Sequence, residues 1–177
     1  LDGQRLDGGV VSFEQSYTRA QNVYLSVSDS TGLRGSSPIF ALRSDGYKRL
    51  QIVVPGEAVE PGVDLYSESG KSGSPVTQRS GELFPITVRA VDQYWNLVTG
   101  VDDGTIQLSS SGGALDLVDP ADADAPFLSG SRDIEIVLGN PGLVGVFAVD
   151  PDHPAVASGR VDIPVNEAEY RVVLPDP

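Results

Sequence analysis

The feature that most constrains this chain is how briefly its apolar residues keep any one rhythm. Nowhere do they hold a helical period over about ten residues before Gly, Pro or a β-branched cluster intervenes. Short alternating stretches recur instead, as half-buried strands require. Val23, Leu25 and Val27 share one face of such a stretch. Between Leu83 and Val91, Ile86, Val88 and Ala90 lie together with Thr87 and Arg89 opposite. Thr105 to Ser109, Ile134 to Leu138, Val144 to Val149 and Val161 to Val165 continue the series. Turn formers separate them at Asp29 to Gly32, Asp102 to Gly104, Gly139 to Gly142 and Asp150 to Asp152. Ala114 to Ala125 reads as a strand running into an acidic loop. The pattern predicts an all-β chain, most simply an antiparallel β-sandwich.

Composition narrows the chemistry. The 177 residues contain no Cys, no Met and one His, which excludes disulfides, thiolate metal sites and cysteine nucleophiles. A chain without any Met is expected to be a processed or excised piece of something longer. The net charge of −13 disfavours nucleic acid, whose phosphates need a basic footprint, and equally an anionic membrane surface. No apolar run reaches the roughly 20 residues of a spanning helix, so membrane insertion is not expected.

The chain also echoes itself. Leu6-Asp7-Gly8-Gly9 is answered by Leu128-Ser129-Gly130-Ser131, and Val27-Ser28-Asp29 by Ala148-Val149-Asp150. Gly35-Ser36 is loosely answered by Ser158-Gly159, and Leu50 to Pro55 by Tyr170 to Pro175. The offset of about 120 residues is that of a repeated unit whose boundaries fall inside the chain. Residues 1–45 then form the C-terminal part of one module, or a small module completed by other strands. Residues 46–165 form a complete sandwich, and 166–177 a linker or the first strand of a following module. Residues 1–45 should lack partners unless other sequence supplies them, since a sandwich buries its core only with both sheets present.

Leu50-Gln51-Ile52-Val53-Val54-Pro55-Gly56-Glu57 leads through Glu60-Pro61-Gly62 and a Gly-rich stretch from Gly70 to Pro75. Ile86 to Val98 follows, containing Ala90-Val91-Asp92 and then Asn96 and Val98. This resembles the tandem bacterial Ig-like repeats of large secreted and surface proteins, of the invasin and intimin stalk type. Asp92, Asn96 and Val98 match that signature, whereas Tyr94-Trp95 is bulkier than its Gly-rich turn. The resemblance is best from about 50 to 110, and residues 111–127 depart from it. It implies Ig-like antiparallel β-sandwich modules in tandem, used extracellularly or at the cell surface, with no ligand identified. Partners would be other copies of the chain or neighbouring Ig-like modules.

Candidate sites compete with plainer readings. Asp116, Asp119, Asp122 and Asp124 place four carboxylates within nine residues, a supply of hard oxygens for calcium. The EF-hand order is missing, so a solvated acidic loop is the preferred reading. Asp150 and Asp152 could join Asp92 or Asn96 at one end of the sandwich to hold an inter-module calcium, as adhesive arrays of this kind do. No other cofactor is expected. His153 stands between Asp152 and Pro154, with Asp150 nearby and Ser158 five residues on. Without a nucleophile elbow this is a surface histidine rather than a triad. Scattered carboxylates do not by themselves make a glycosidase. Tyr94 and Trp95 form the best candidate binding surface, for a sugar ring or a protein partner; the plainer alternative is that Trp95 plugs the core or caps a junction between units.

These readings point to a non-enzymatic module, acting as spacer, stalk or subunit of a fibre or surface layer, and able to polymerise by strand donation. The competing reading is a carbohydrate- or protein-binding accessory module of a secreted enzyme or adhesin. A row of exposed aromatics on one sheet would favour that alternative.

Overall fold

Alternation becomes burial most clearly between Leu83 and Val91. Phe84, Ile86, Val88 and Ala90 are buried, while Leu83 and Pro85 face solvent and Thr87 and Arg89 are half-buried. A computed structural model describes residues 9–12, 14–63, 67–112, 115–117 and 126–168, and within them all regular structure is strand. In chain order the strands are β1 (Asn22–Val23), β2 (Ser26–Ser28), β3 (Arg34–Ser36), β4 (Phe40–Ala41), β5 (Arg49–Val53), β6 (Glu57–Val59) and β7 (Lys71–Gly73). There follow β8 (Gln78–Arg79), β9 (Leu83–Val91), β10 (Gln107–Ser110), β11 (Leu115–Leu117), β12 (Ser131–Leu138), β13 (Gly142–Val149) and β14 (Gly159–Asn166).

Two four-stranded sheets face each other. One has the order β11-β12-β9-β5, antiparallel throughout. The other has the order β10-β13-β14-β8, in which β8 alone runs parallel to its neighbour. This is the strand arrangement of an immunoglobulin-type sandwich, with the first strand's course continued by β8 onto the opposite sheet. The core is shared between the sheets: Leu50 and Ile52 from β5, Ile134 and Ile136 from β12, Val144 and Val146 from β13, Val161 and Ile163 from β14. Burying each such side chain contributes about 1.5–3 kcal/mol relative to leaving it in water. Ile106 and Phe127 close the core from the loops at one end.

Strand β5 departs from simple alternation, since Gln51 is buried between Leu50 and Ile52. The ribbon of β6 and β7 folds back over its outer face, and Gln51 Nε2 donates to the carbonyls of Ser69 (2.7 Å) and Gly70 (3.0 Å). The Arg89 guanidinium donates to Gln51 Oε1 at 2.6 Å, and burial lowers its pKa from the ordinary arginine value. Lys71 and Glu57 pair at 2.7 Å with both side chains nearly inaccessible, and Lys71 Nζ also donates to the Ile52 carbonyl at 2.7 Å.

Ahead of the sandwich, β1 pairs with β4 and β2 with β3, so residues 22–41 form one interrupted hairpin. The returning limb of this hairpin is interrupted at Pro38, between β3 and β4. The alternation of Val23, Leu25 and Val27 does not translate into burial here, because no second sheet lies over it among the described residues. Strand β11 supplies the strand expected before the acidic loop, and residues 118–125 of that loop lie outside the described residues.

Candidate functional site: a polar hub at one end of the sandwich

The loop leaving β9 is closed by its own first side chain. Asp92 Oδ1 accepts the backbone N–H groups of Tyr94 (2.8 Å) and Asn96 (3.0 Å), and the Asp92 N–H donates to the Asn96 carbonyl (3.0 Å). The Asn96 amide donates to both Asp92 oxygens, at 3.2 and 3.0 Å. So tight a loop turns Trp95 into the left-handed region, at φ 66°, a conformation costly for a bulky residue.

That turn drives the Trp95 indole inward. Its ring is 5% exposed and its Nε1 donates to the Ser67 carbonyl at 3.2 Å. The Arg49 guanidinium lies 4.5 Å from the ring centroid, a cation–π contact. On the ribbon side it meets Gly70, where a Cβ would fall inside the ring, so only glycine fits. Trp95 is therefore covered by β7 and its approach, and does not offer the open stacking face considered for it above. Tyr94 is half-buried, and its carbonyl accepts the Gly62 N–H at 2.8 Å.

The remaining capacity of Asn96 points outward from the sandwich. Its Oδ1 accepts the Ala20 N–H at 2.9 Å and its Nδ2 donates to the Thr18 carbonyl at 2.7 Å. Thr18 Oγ1 donates to the Gly62 carbonyl at 2.5 Å, and Gly62 packs so closely on Arg19 that a Cβ there would overlap it. On the far side of the hairpin, Asp92 Oδ2 accepts the Asp45 N–H at 3.0 Å. Both ends of the 22–41 hairpin are thus tied to one five-residue loop of the sandwich, through polar groups that are themselves buried.

A second cluster stands at the same end. Asp150 Oδ1 accepts the N–H groups of Asp152 (3.1 Å) and His153 (3.3 Å), while Oδ2 meets Tyr47 Oη (3.1 Å) and His153 Nδ1 (3.0 Å). Tyr47 packs edge-on against Phe127 and His153. Its phenol is held far above the usual tyrosine value, first by burial and then by the adjacent Asp150 charge and hydrogen bond. Asp152 Oδ2 accepts the N–H and hydroxyl of Thr105 at 3.0 and 2.7 Å.

Asp92, Asn96, Asp150 and Asp152 thus fall into two separate hydrogen-bonded knots. Their oxygens already accept N–H and O–H donors, which is the physical reason they do not pool as ligands. Among the described residues no three His, Cys, Asp or Glu side chains converge on one metal position. Asp116 sits exposed on β11, and Asp119, Asp122 and Asp124 lie outside the described residues. His153 has its carboxylate partner, but no hydrogen bond joins it to Ser158. A depression beside Trp95, lined in part by Gln51, Glu68, Lys71 and Ser158, has a volume of about 140 Å³. Small-molecule pockets run to roughly 300–1,000 Å³.

Sequence reasoning singled out Asp92 and Asn96 but missed what they hold. Toward Asn96 and Asp92, Thr18, Ala20 and Asp45 offer backbone groups, which carry no residue signature. Tyr47 was missed because its partner is 103 positions away.

No family model matches the chain, and no curated protein sequence does. Among solved structures, it is similar to a β-glycosidase from Bacteroides vulgatus at 9% identity and TM-score 0.48, covering 84% of this chain and 23% of that one. A β-glucuronidase of Parabacteroides merdae matches at 11% identity and TM-score 0.45, over 81% of this chain and 16% of the enzyme. Domains 4 and 5 of the S-layer protein SbsC match at 12% identity and TM-score 0.35, over 85% of this chain and 59% of theirs. The chain thus spans less than a quarter of either enzyme's length.

Proposed function

We propose that the chain is a non-catalytic structural module of a secreted or cell-surface protein, a spacer in which one β unit is fixed end to end on the next. The observation that carries this reading is Asn96, 3% exposed, spending its amide on the Ala20 and Thr18 backbone on one side and on Asp92 on the other. Buried polar groups so paired hold one geometry, because any other leaves them unsatisfied in a dry site. The tie joins two chain segments 76 positions apart. An acidic surface suits such a use, since self-repulsion keeps a long array soluble.

Small-angle scattering together with retention on a glycan array tests the reading. A spacer unit gives one elongated particle of fixed maximum dimension and no glycan retention. Retention that is abolished by filling the depression with Ser158→Trp would replace it with a carbohydrate-binding module.

A further inference from the structure

Strands β1 to β4 repeat the last hairpin of the sandwich in register as well as in order. Val27 pairs with Gly35 as Ala148 pairs with Gly159, and Val23 with Phe40 as Val144 with Ile163. The second limb of the early hairpin carries one extra residue around Pro38, a bulge that leaves the outer pairing intact. Both loops open on the same turn. Asp29 Oδ1 accepts the Thr31 N–H at 2.9 Å and its carbonyl accepts the Gly32 N–H at 3.2 Å. Asp150 does the same with Asp152 at 3.1 Å and His153 at 3.3 Å.

What differs is the cover. Val146, Ala148 and Ile163 are 0% exposed, whereas Leu25, Val27 and Phe40 are 43, 54 and 42% exposed. A two-stranded hairpin alone is marginal in water, and an Ig-type hairpin gains its stability from the sheet packed over it. We propose that residues 22–41 are the closing hairpin of a second sandwich, and that their bare apolar face docks the remaining strands of that sandwich, carried ahead of them on the same polypeptide.

Two observations select this occupant. In the complete sandwich the covering strands all precede the hairpin in sequence, and the segments leading into the two hairpins echo one another, Leu6 to Gly9 with Leu128 to Ser131. A second copy of the chain is a poor substitute, because its covering sheets already bury its own β13 and β14, and each copy carries a charge of −13. The inference rests on the end-to-end reading for its geometry and names the partner of that arrangement.

The test adds a second copy of residues 46–127, which contain β5 to β11, ahead of the full chain, whose residues 9–16 take the place of β12 by the echo of Leu6 to Gly9 with Leu128 to Ser131, and follows amide exchange residue by residue. In the extended protein, amides of 23–28 and 34–41 should exchange about a hundredfold more slowly than in the chain alone, as a monomer. Val27→Asp should abolish that protection and Ser28→Asp should leave it. The chain alone gives an independent reading: Val27→Ser with Phe40→Ser should leave its Tm unchanged and reduce its binding of anilinonaphthalene sulfonate. Added strands that are protected while 22–41 stays bare would overturn the proposal, as would protection that appears only with dimerisation or a Tm lowered by the paired serines. Protection of the Ala20 amide throughout would keep the spacer reading standing when the docking proposal falls.

Discussion

Replacing Asn96 by alanine removes an acceptor from the Ala20 N–H, a donor from the Thr18 carbonyl and an amide from the buried Asp92 carboxylate. The first two losses act on the seating of the hairpin. At about 0.5–1.5 kcal/mol net for each bond, the seat loses about 1–3 kcal/mol and its local opening rises roughly 5- to 150-fold. The third acts on the sandwich itself. A hydrogen bond to a charged group is worth about 1.5–3 kcal/mol, although Asp92 keeps the backbone donors of Tyr94, Asn96 and Asp45. Tm should therefore fall by roughly 5–12 °C. Amide exchange separates the two effects, since the Ala20 N–H reports seating and the amides of β9 report global unfolding. Asn96→Asp should be worse than alanine, because it sets a second carboxylate against Asp92. If Ala20 exchange is the same in wild type and Asn96→Ala, the hairpin is not held by this residue and the argument for a fixed junction fails.

Three further outcomes follow from other contacts. Above pH 10 an unfolded chain sheds the Tyr47 proton, whereas the folded chain keeps it, so stability is full below that pH and declines as pH rises; urea melts at pH 9 and 11 should show a smaller drop for Tyr47→Phe. Gly70→Ala forces a methyl into the Trp95 ring at a backbone φ of 60°, and should cost about 2–4 kcal/mol with a red shift of the Trp emission, read by denaturant unfolding. Lys71→Met strands the buried Glu57 carboxylate and should cost about 3–5 kcal/mol, while adding Glu57→Leu should restore part of that loss in the same assay.

The sandwich was legible because its strands are buried on one face, and that face writes period two into Ile86, Val88 and Ala90 or Val144, Val146 and Ala148. The same period at Val23, Leu25 and Val27 was read correctly as strand-like, yet it says nothing about whether a covering sheet is present. The Asp92 and Asn96 spacing showed a side-chain motif; its partners are main-chain groups that any residue could supply. Trp95 illustrates the converse limit. Its burial depends on the β6–β7 ribbon folding back over β5, and the sequence there reads only as a series of bends. Gly70 was noticed as part of a Gly-rich stretch, but the indole that requires it lies 25 positions on.

The parallel pairing of β8 with β14, at Gln78 with Val165 and Arg79 with Asn166, gives the module a mechanical property. Once β5 to β7 have come away, pulling the sandwich by its two ends drags β8 and β14 in opposite directions along their length. Their hydrogen bonds then stand in shear and must break together, where an antiparallel pair of terminal strands would peel open one bond at a time.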